Sequence, residues 1–235
     1  MQESFVRLGG KLIVIAGGNG AGKKTQCDIL VARLKQEGFV GAYADFPQHD
    51  KLSSYFVRKY LNGEYGHPNE IGPYRASIFF ALDRYDDSAR LHKELERGSI
   101  IVSNRYVSAN IGHQGGKIKD ETERNKFLNW LLDFEFNLMK IPKPDLVIFL
   151  HVSRDIADKL VERKEASTRR YIKLGKKDAH EIDPEHNKNA EKAFIYASEK
   201  YGWPIVECVA NGVLRSRESI HEEIWSIVKP LIYKQ

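Results

Sequence analysis

The sequence holds two cysteines in 235 residues, Cys27 and Cys208. So few thiols exclude a disulfide framework or a thiolate zinc site, and the eight histidines show no metal-ligand spacing. Two reduced, buried thiols are expected instead. No apolar run is long enough to span a bilayer, and Met1 to Gly10 lacks the apolar core of a signal peptide. A cytoplasmic location without a membrane partner is therefore expected. The formal charge is +5 and the sequence pI about 9.0. Yet Lys and Arg are dispersed, with no dense basic run interleaved with aromatics, so nucleic acid is not the expected partner. Mild basicity suits smaller anions such as nucleotides. Ser103 and Ser108 lack the context of a nucleophile elbow.

What is present begins with Leu12-Ile13-Val14-Ile15-Ala16, an apolar, β-branched run that reads as a buried strand. It leads into Gly17-Gly18-Asn19-Gly20-Ala21-Gly22-Lys23-Lys24-Thr25 and then into a helical pattern. Gly17, four residues, then Gly22-Lys23 is the spacing of a phosphate-binding loop. Backbone N–H groups close around a phosphate only where no Cβ intrudes, and the following helix adds its positive end. Gly17 to Thr25, including Asn19, Gly20, Ala21 and Lys24, is thus the expected triphosphate site, with Lys23 reaching the outer phosphates. The residue after that lysine is ordinarily a hydroxyl that holds Mg²⁺; here it is Lys24.

Apolar strands recur at Val40 to Phe46, Ser99 to Ser103, Asp145 to Val152 and Ile205 to Val209, alternating with helical patterns. Helices are expected from Lys24 to Glu37, Ser53 to Leu61, Tyr74 to Arg97, Glu121 to Met139, Asp155 to Lys164, Pro184 to Tyr201 and Ser219 to Leu231, with a loop at Asn69 to Pro73. The charged stretch Glu165 to Glu181 reads as a flap. Uniformly apolar strands alternating with helices predict a five-stranded parallel sheet covered on both faces. No repeat or linker interrupts residues 1–235, so one domain is expected. Ligands of such sheets sit beyond the carboxyl ends of the strands, which gathers the Gly17 loop, Asp45-Phe46-Pro47 and Asn104-Arg105-Tyr106.

Two further segments sharpen the reading. Phe79-Phe80-Ala81-Leu82-Asp83-Arg84-Tyr85 sits on a long helix, and Val102-Ser103-Asn104-Arg105-Tyr106 runs on to His113-Gln114-Gly115. With the phosphate loop, the basic flap and the closing Asp183-Pro184-Glu185-His186, these resemble the thymidylate kinase family over nearly the whole chain. The resemblance implies a three-layer P-loop kinase fold with a basic lid at about 165–181, and phosphoryl transfer from ATP, with Mg²⁺, to dTMP. It implies that Lys23 and Arg105 carry the reaction and that Phe80 stacks on the thymine. Arg84 and Gln114 would meet the base edge, Arg105 would clamp the acceptor phosphate, and Asn19, Phe46 and Asn104 would complete the monophosphate site. Lid cations come from Arg163, Arg169, Arg170, Lys173, Lys176 and Lys177, with Arg169, Arg170 and Lys177 in front. Family members are typically homodimers, with the helix from Glu121 to Met139 as a candidate interface.

The sequence departs from that pattern at the metal. Lys24 replaces a hydroxyl, Asn104 an aspartate, Asn19 an acid at the sugar, His49 an arginine and His151 an aspartate. Three readings stay open: Lys24 supplies charge in place of the metal; Mg²⁺ is held through phosphates and water alone; or the chain is a nucleotide-binding relative with impaired turnover. A kinase for another nucleoside monophosphate is the remaining alternative.

Overall fold

Successive residues of the central strand point into two different cores. A computed structural model describes residues 9–153, 156 and 184–233. Strand β1 (Lys11–Gly17) sends Ile13 and Ile15 to one face and Leu12, Val14 and Ala16 to the other, all of them buried. A strand sealed on both sides needs no polar alternation, which is why it reads as one apolar run. Strands β2 (Gly41–Asp45), β3 (Ile100–Asn104), β4 (Leu146–His151) and β5 (Ile205–Glu207) complete a five-stranded sheet in the order β2-β3-β1-β4-β5. All its pairings are parallel.

Helix α1 (Lys23–Gln36) and the last helix, α7 (Arg217–Ile232), cover one face, packing Cys27, Leu30 and Leu34 with Ile220, Ile224, Trp225 and Val228. The other face is covered by α3 (Pro68–Glu96), α4 (Val107–His113), α5 (Glu121–Leu132) and α6 (Pro184–Tyr201). The short helix α2 (Tyr55–Leu61) packs on α3 through Val57, Tyr60 and Leu61. Register sets the site: Ile15 is paired with Asn104, Asn104 with Asp45, and Gly17 with Leu150, so the strand ends share one edge. Among the described residues, no helix is long and apolar enough to cross a membrane.

The elements differ from expectation at three places. Helix α3 begins at Pro68 rather than Tyr74. His67 caps it in a box with Glu70, and Gly72 (φ 74°, ψ 166°) kinks it within the stretch expected to be a loop. Proline suits a first helical turn, where its missing N–H costs nothing. Helix α5 does not run on to Met139 in α geometry; residues Asp133–Leu138 are π-helical. Finally, β5 ends at Glu207, and Asn211-Gly212 turns a small antiparallel hairpin, β6 (Val209–Ala210) with β7 (Val213–Leu214). The expected helix at Asp155 to Lys164 and the basic lid at 165–181 lie outside the described residues.

The aromatic stripe of α5 is spent inside the protein. Phe127, Leu128 and Leu131 are buried in the core, while Trp130 stacks on Phe134 at 5.3 Å. Leu138, at the end of the expected interface helix, is exposed, and five further exposed apolar residues lie on α2 and α3: Tyr55, Phe56, Tyr74, Leu82 and Tyr85.

Candidate active site

The phosphate loop leaves β1 at Gly17, whose φ is 149°. A Cβ there would lie 2.7 Å from the Leu150 carbonyl oxygen, so the neighbouring strand forbids any larger residue. Gly20 (φ 80°) and Gly22 (φ 76°) hold the left-handed conformations that turn the chain into α1. No side chain caps that helix, so first-turn N–H groups are left for the loop's concave side. Lys23 is 6% exposed and folds back, its Nζ donating to the Gly18 carbonyl at 2.6 Å. Ala21 is buried beneath the turn.

Beside the loop opens a cavity of about 230 Å³. Every residue predicted for the monophosphate site lines it: Asn19 from the loop, Phe46 after β2, Phe80 and Arg84 from α3, Asn104 and Arg105 at the end of β3, and Gln114 after α4. Asp45, His49, Asn110 and His113 complete much of the wall. Gln114 is buried, and its Oε1 has no hydrogen-bond partner among the described residues.

Arg105 links the two halves. It is held at φ 67°, a conformation rare for a side-chain-bearing residue, by its N–H to Ile15 (3.2 Å) and by Ser103 Oγ donating to its carbonyl (2.6 Å). Its Nη2 donates to Asn19 Oδ1 at 2.6 Å, and Nη1 lies 3.4 Å from His113 Nε2. The guanidinium therefore spans from the cavity to the phosphate loop.

Arg84 forms the floor, and two of its nitrogens are already taken. Nε and Nη2 donate to the two carboxylate oxygens of Glu135 at 2.6 and 2.5 Å, deep in the interior. Glu135 also accepts from Asn110 Nδ2 at 3.4 Å. The π-helical segment after α5 turns Glu135 inward, a partner that sequence periodicity does not supply.

At the metal-side departures the arrangement is specific. Lys24 leans on the exposed flank of α1, donating to Asp28 at 2.7 Å with 58% of its side chain exposed. That hydrogen bond raises its pKa above the ordinary lysine value. Lys24 does not line the cavity. Asn104 Nδ2 donates to Asp45 Oδ1 at 2.8 Å, and Tyr43 donates to the other Asp45 oxygen at 3.0 Å. Burial pushes the Asp45 carboxyl above its usual range, against the opposing pull of those donors and of Arg105. His49 is pushed down to about 4, by burial first and by the Arg105 cation second. His151 sits apart from the cavity, between Glu191 (2.8 Å) and Glu207 (2.8 Å). Burial lowers its pKa, but the two carboxylates outweigh that and raise it.

A five-stranded parallel sheet, a glycine-rich loop at a helix start and a cavity across from it define a P-loop nucleotide-binding protein of the kinase type. A family model described as thymidylate kinase matches residues 15–200. The chain belongs to the thymidylate kinase family. A thymidylate kinase of Danio rerio is 27% identical over 162 residues, 69% of each chain. One from Mycobacterium tuberculosis (strain ATCC 25618 / H37Rv) is 28% identical over 147 residues, 62% of this chain and 68% of that one. The solved thymidylate kinase of Candida albicans superimposes with a TM-score of 0.69 at 19% identity, covering 94% of this chain and 92% of that structure.

Proposed function

We propose that the protein transfers the terminal phosphoryl group of ATP to dTMP, giving ADP and dTDP, as a single catalytic domain in nucleotide biosynthesis. The observation that carries this reading is the reach of Arg105 from the monophosphate cavity to Asn19 of the phosphate loop. One planar cation at that join can hold an acceptor phosphate in line with a donor phosphate.

The geometry supports the following roles. The loop amides and Lys23 hold the donor phosphates, with the Lys23 amine moving from the Gly18 carbonyl to a phosphate oxygen. The thymine lies against Phe80, and the partnerless Gln114 Oε1 accepts from its ring N–H. Arg84 is held rigid by Glu135 and keeps one nitrogen for the base edge. An oxygen of the dTMP phosphate attacks the γ-phosphorus; that O–P bond forms as the bond to the β-bridging oxygen breaks, and ADP leaves. The phosphate dianion is its own nucleophile, so no general base is required, and catalysis is positioning plus charge neutralisation. Lid cations from Arg169, Arg170 or Lys177 would add to that charge. Mg²⁺ fits the site: Asp45 offers a carboxylate and Asn104 a buried amide oxygen without a hydrogen-bond partner among the described residues. Bound there, the ion would draw negative charge from the phosphate oxygens.

The exposed aromatics of α2 and α3 support a homodimer through that face, which light scattering on the purified protein would read directly. The two buried free cysteines suit a reducing cytoplasm. ADP release measured against dTMP, dUMP, dCMP and dGMP tests the activity. dTMP should lead; equal rates with all four, or none with any, would overturn the reading.

A further inference from the structure

We propose that Asp45, on β2, supplies the site carboxylate that Asn104, on β3, does not. The two present one charged and one neutral oxygen to the divalent cation that accompanies the phosphate chain. The inference rests on the kinase reading of the site and assigns a residue within it.

The parallel register pairs Asp45 directly with Asn104. Neighbouring strands lie about 4.8 Å apart, so a carboxylate moved across one strand still reaches the same edge of the cavity. The Asn104 amide is oriented by the contact: Nδ2 donates to Asp45 Oδ1 at 2.8 Å. The flipped amide would set an oxygen against the carboxylate, so the other amide atom is Oδ1, which is buried and has no hydrogen-bond partner among the described residues. Tyr43 fixes the other Asp45 oxygen at 3.0 Å. Each carboxylate oxygen thus accepts one neutral donor and keeps a lone pair.

Charge balance points the same way. Among the described residues, the Asp45 oxygens accept hydrogen bonds from a neutral hydroxyl and a neutral amide, and no ion pair closes on the carboxylate. Arg105 and Lys24, whose charges act on Asp45, direct hydrogen bonds elsewhere, Arg105 to Asn19 and Lys24 to Asp28. Asp45 lines the cavity together with Asn19 of the phosphate loop and Arg105, so its carboxylate faces the space between loop and cavity wall. Mg²⁺ takes few protein oxygens and keeps several waters, and one carboxylate with one amide oxygen is a set it accepts.

The test is a charge-neutral exchange across the strands. Mn²⁺ binding is read by electron paramagnetic resonance in the presence of dTMP and a non-hydrolysable ATP analogue, for wild type, Asp45→Asn, Asn104→Asp and the double exchange. Wild type should hold Mn²⁺ more tightly than the analogue alone. Asp45→Asn should lose about tenfold in Mn²⁺ affinity, and the double exchange should return to within about threefold of wild type. Unchanged affinity in Asp45→Asn, or a double exchange as weak as that single variant, overturns the assignment. Should Asp45→Asn fail to fold, Asn104→Asp decides. A second carboxylate must tighten Mn²⁺ by about threefold or more, and no change overturns the proposal. Thermal shifts with dTMP and the analogue in chelator separate the two levels. No shift in wild type sinks the kinase reading, whereas shifts in wild type with unaltered Mn²⁺ binding in Asp45→Asn sink only the role of Asp45.

Discussion

Arg84 and Glu135 meet in the interior as a bidentate pair, at 2.6 and 2.5 Å, with side chains 2% and 0% exposed. The pair fixes the position of Arg84 in the cavity wall. Removing one partner leaves a full charge buried without compensation, so Glu135→Ala should cost about 3–5 kcal/mol. Replacing both, as Arg84→Met with Glu135→Leu, should cost far less, because an apolar pair needs no solvation. Urea denaturation of the three proteins checks this. A single variant costing under about 1 kcal/mol would refute the argument.

His49 gives a pH dependence of definite sign. Its folded-state pKa of about 4 lies below the ordinary 6.5. The unfolded chain therefore takes up a proton at a pH where the folded chain does not, and stability falls as pH drops below 6.5 towards 4. From pH 7 to pH 5 the loss assigned to this residue is about 2 kcal/mol. His221, also lowered by burial, adds in the same direction. The difference between wild type and His49→Gln isolates the contribution, since all other groups cancel. Parallel pH–stability curves for the two proteins would contradict it.

Lys24 stands where a metal-binding hydroxyl is expected, but its amine bonds Asp28 across one turn of α1, and both side chains are more than half exposed. Such an i,i+4 pair is worth about 0.3–0.5 kcal/mol, so Lys24→Ala should scarcely move the melting temperature. An ammonium held there does not replace a divalent cation at the phosphates. Excess chelator should therefore abolish turnover in wild type. Full activity in chelator would restore Lys24 as the source of charge.

The sequence makes some of this legible and hides the rest for physical reasons. Strands sealed on both faces announce themselves as apolar runs, and the phosphate loop is a local motif whose glycines answer local constraints. Hence β1, the loop, and the gathering of Phe80, Arg84, Asn104, Arg105 and Gln114 at one cavity can be read ahead of the fold. The Glu135 partner cannot, because it depends on the π-helical turn after α5, which rotates the side chain off the α period. The contact between Asp45 and Asn104 joins residues 59 apart through strand register, and nothing local signals it. By contrast, His67-Pro68 and Asn211-Gly212 carry clear start and turn signals, and an extended loop reading at Asn69 to Pro73 overlooks the first of them.

Gly112 shows how tightly the wall behind the cavity is built. It sits on α4, and a Cβ there would fall 2.2 Å from the Phe194 ring of α6. Phe194 is itself buried and stacked on Phe149 of β4 at 5.2 Å, so it has no room to retreat. Gly112→Ala should cost about 1–3 kcal/mol through overpacking, despite the better helix propensity of alanine. Pairing it with Phe194→Leu should recover part of the loss, since the smaller side chain vacates the overlap. If Gly112→Ala is as stable as wild type in chemical denaturation, the close packing of α4 on α6 is wrong.

Arg105 supports the sharpest kinetic prediction. Lysine keeps the charge but is a point donor, and it cannot hold Asn19 and an acceptor phosphate through one planar fork. Backbone strain at φ 67° is the same for either residue, so Arg105→Lys should fold with nearly unchanged stability. In the role proposed for Arg105, a clamp on the acceptor phosphate matters most as charge shifts during transfer. The variant should therefore lose about 10²–10³-fold in kcat, with a smaller rise in KM for dTMP. Steady-state kinetics with dTMP varied at saturating ATP separates the two effects. A rise in KM alone, at wild-type kcat, would mean that Arg105 only binds the acceptor and does not carry the transition state.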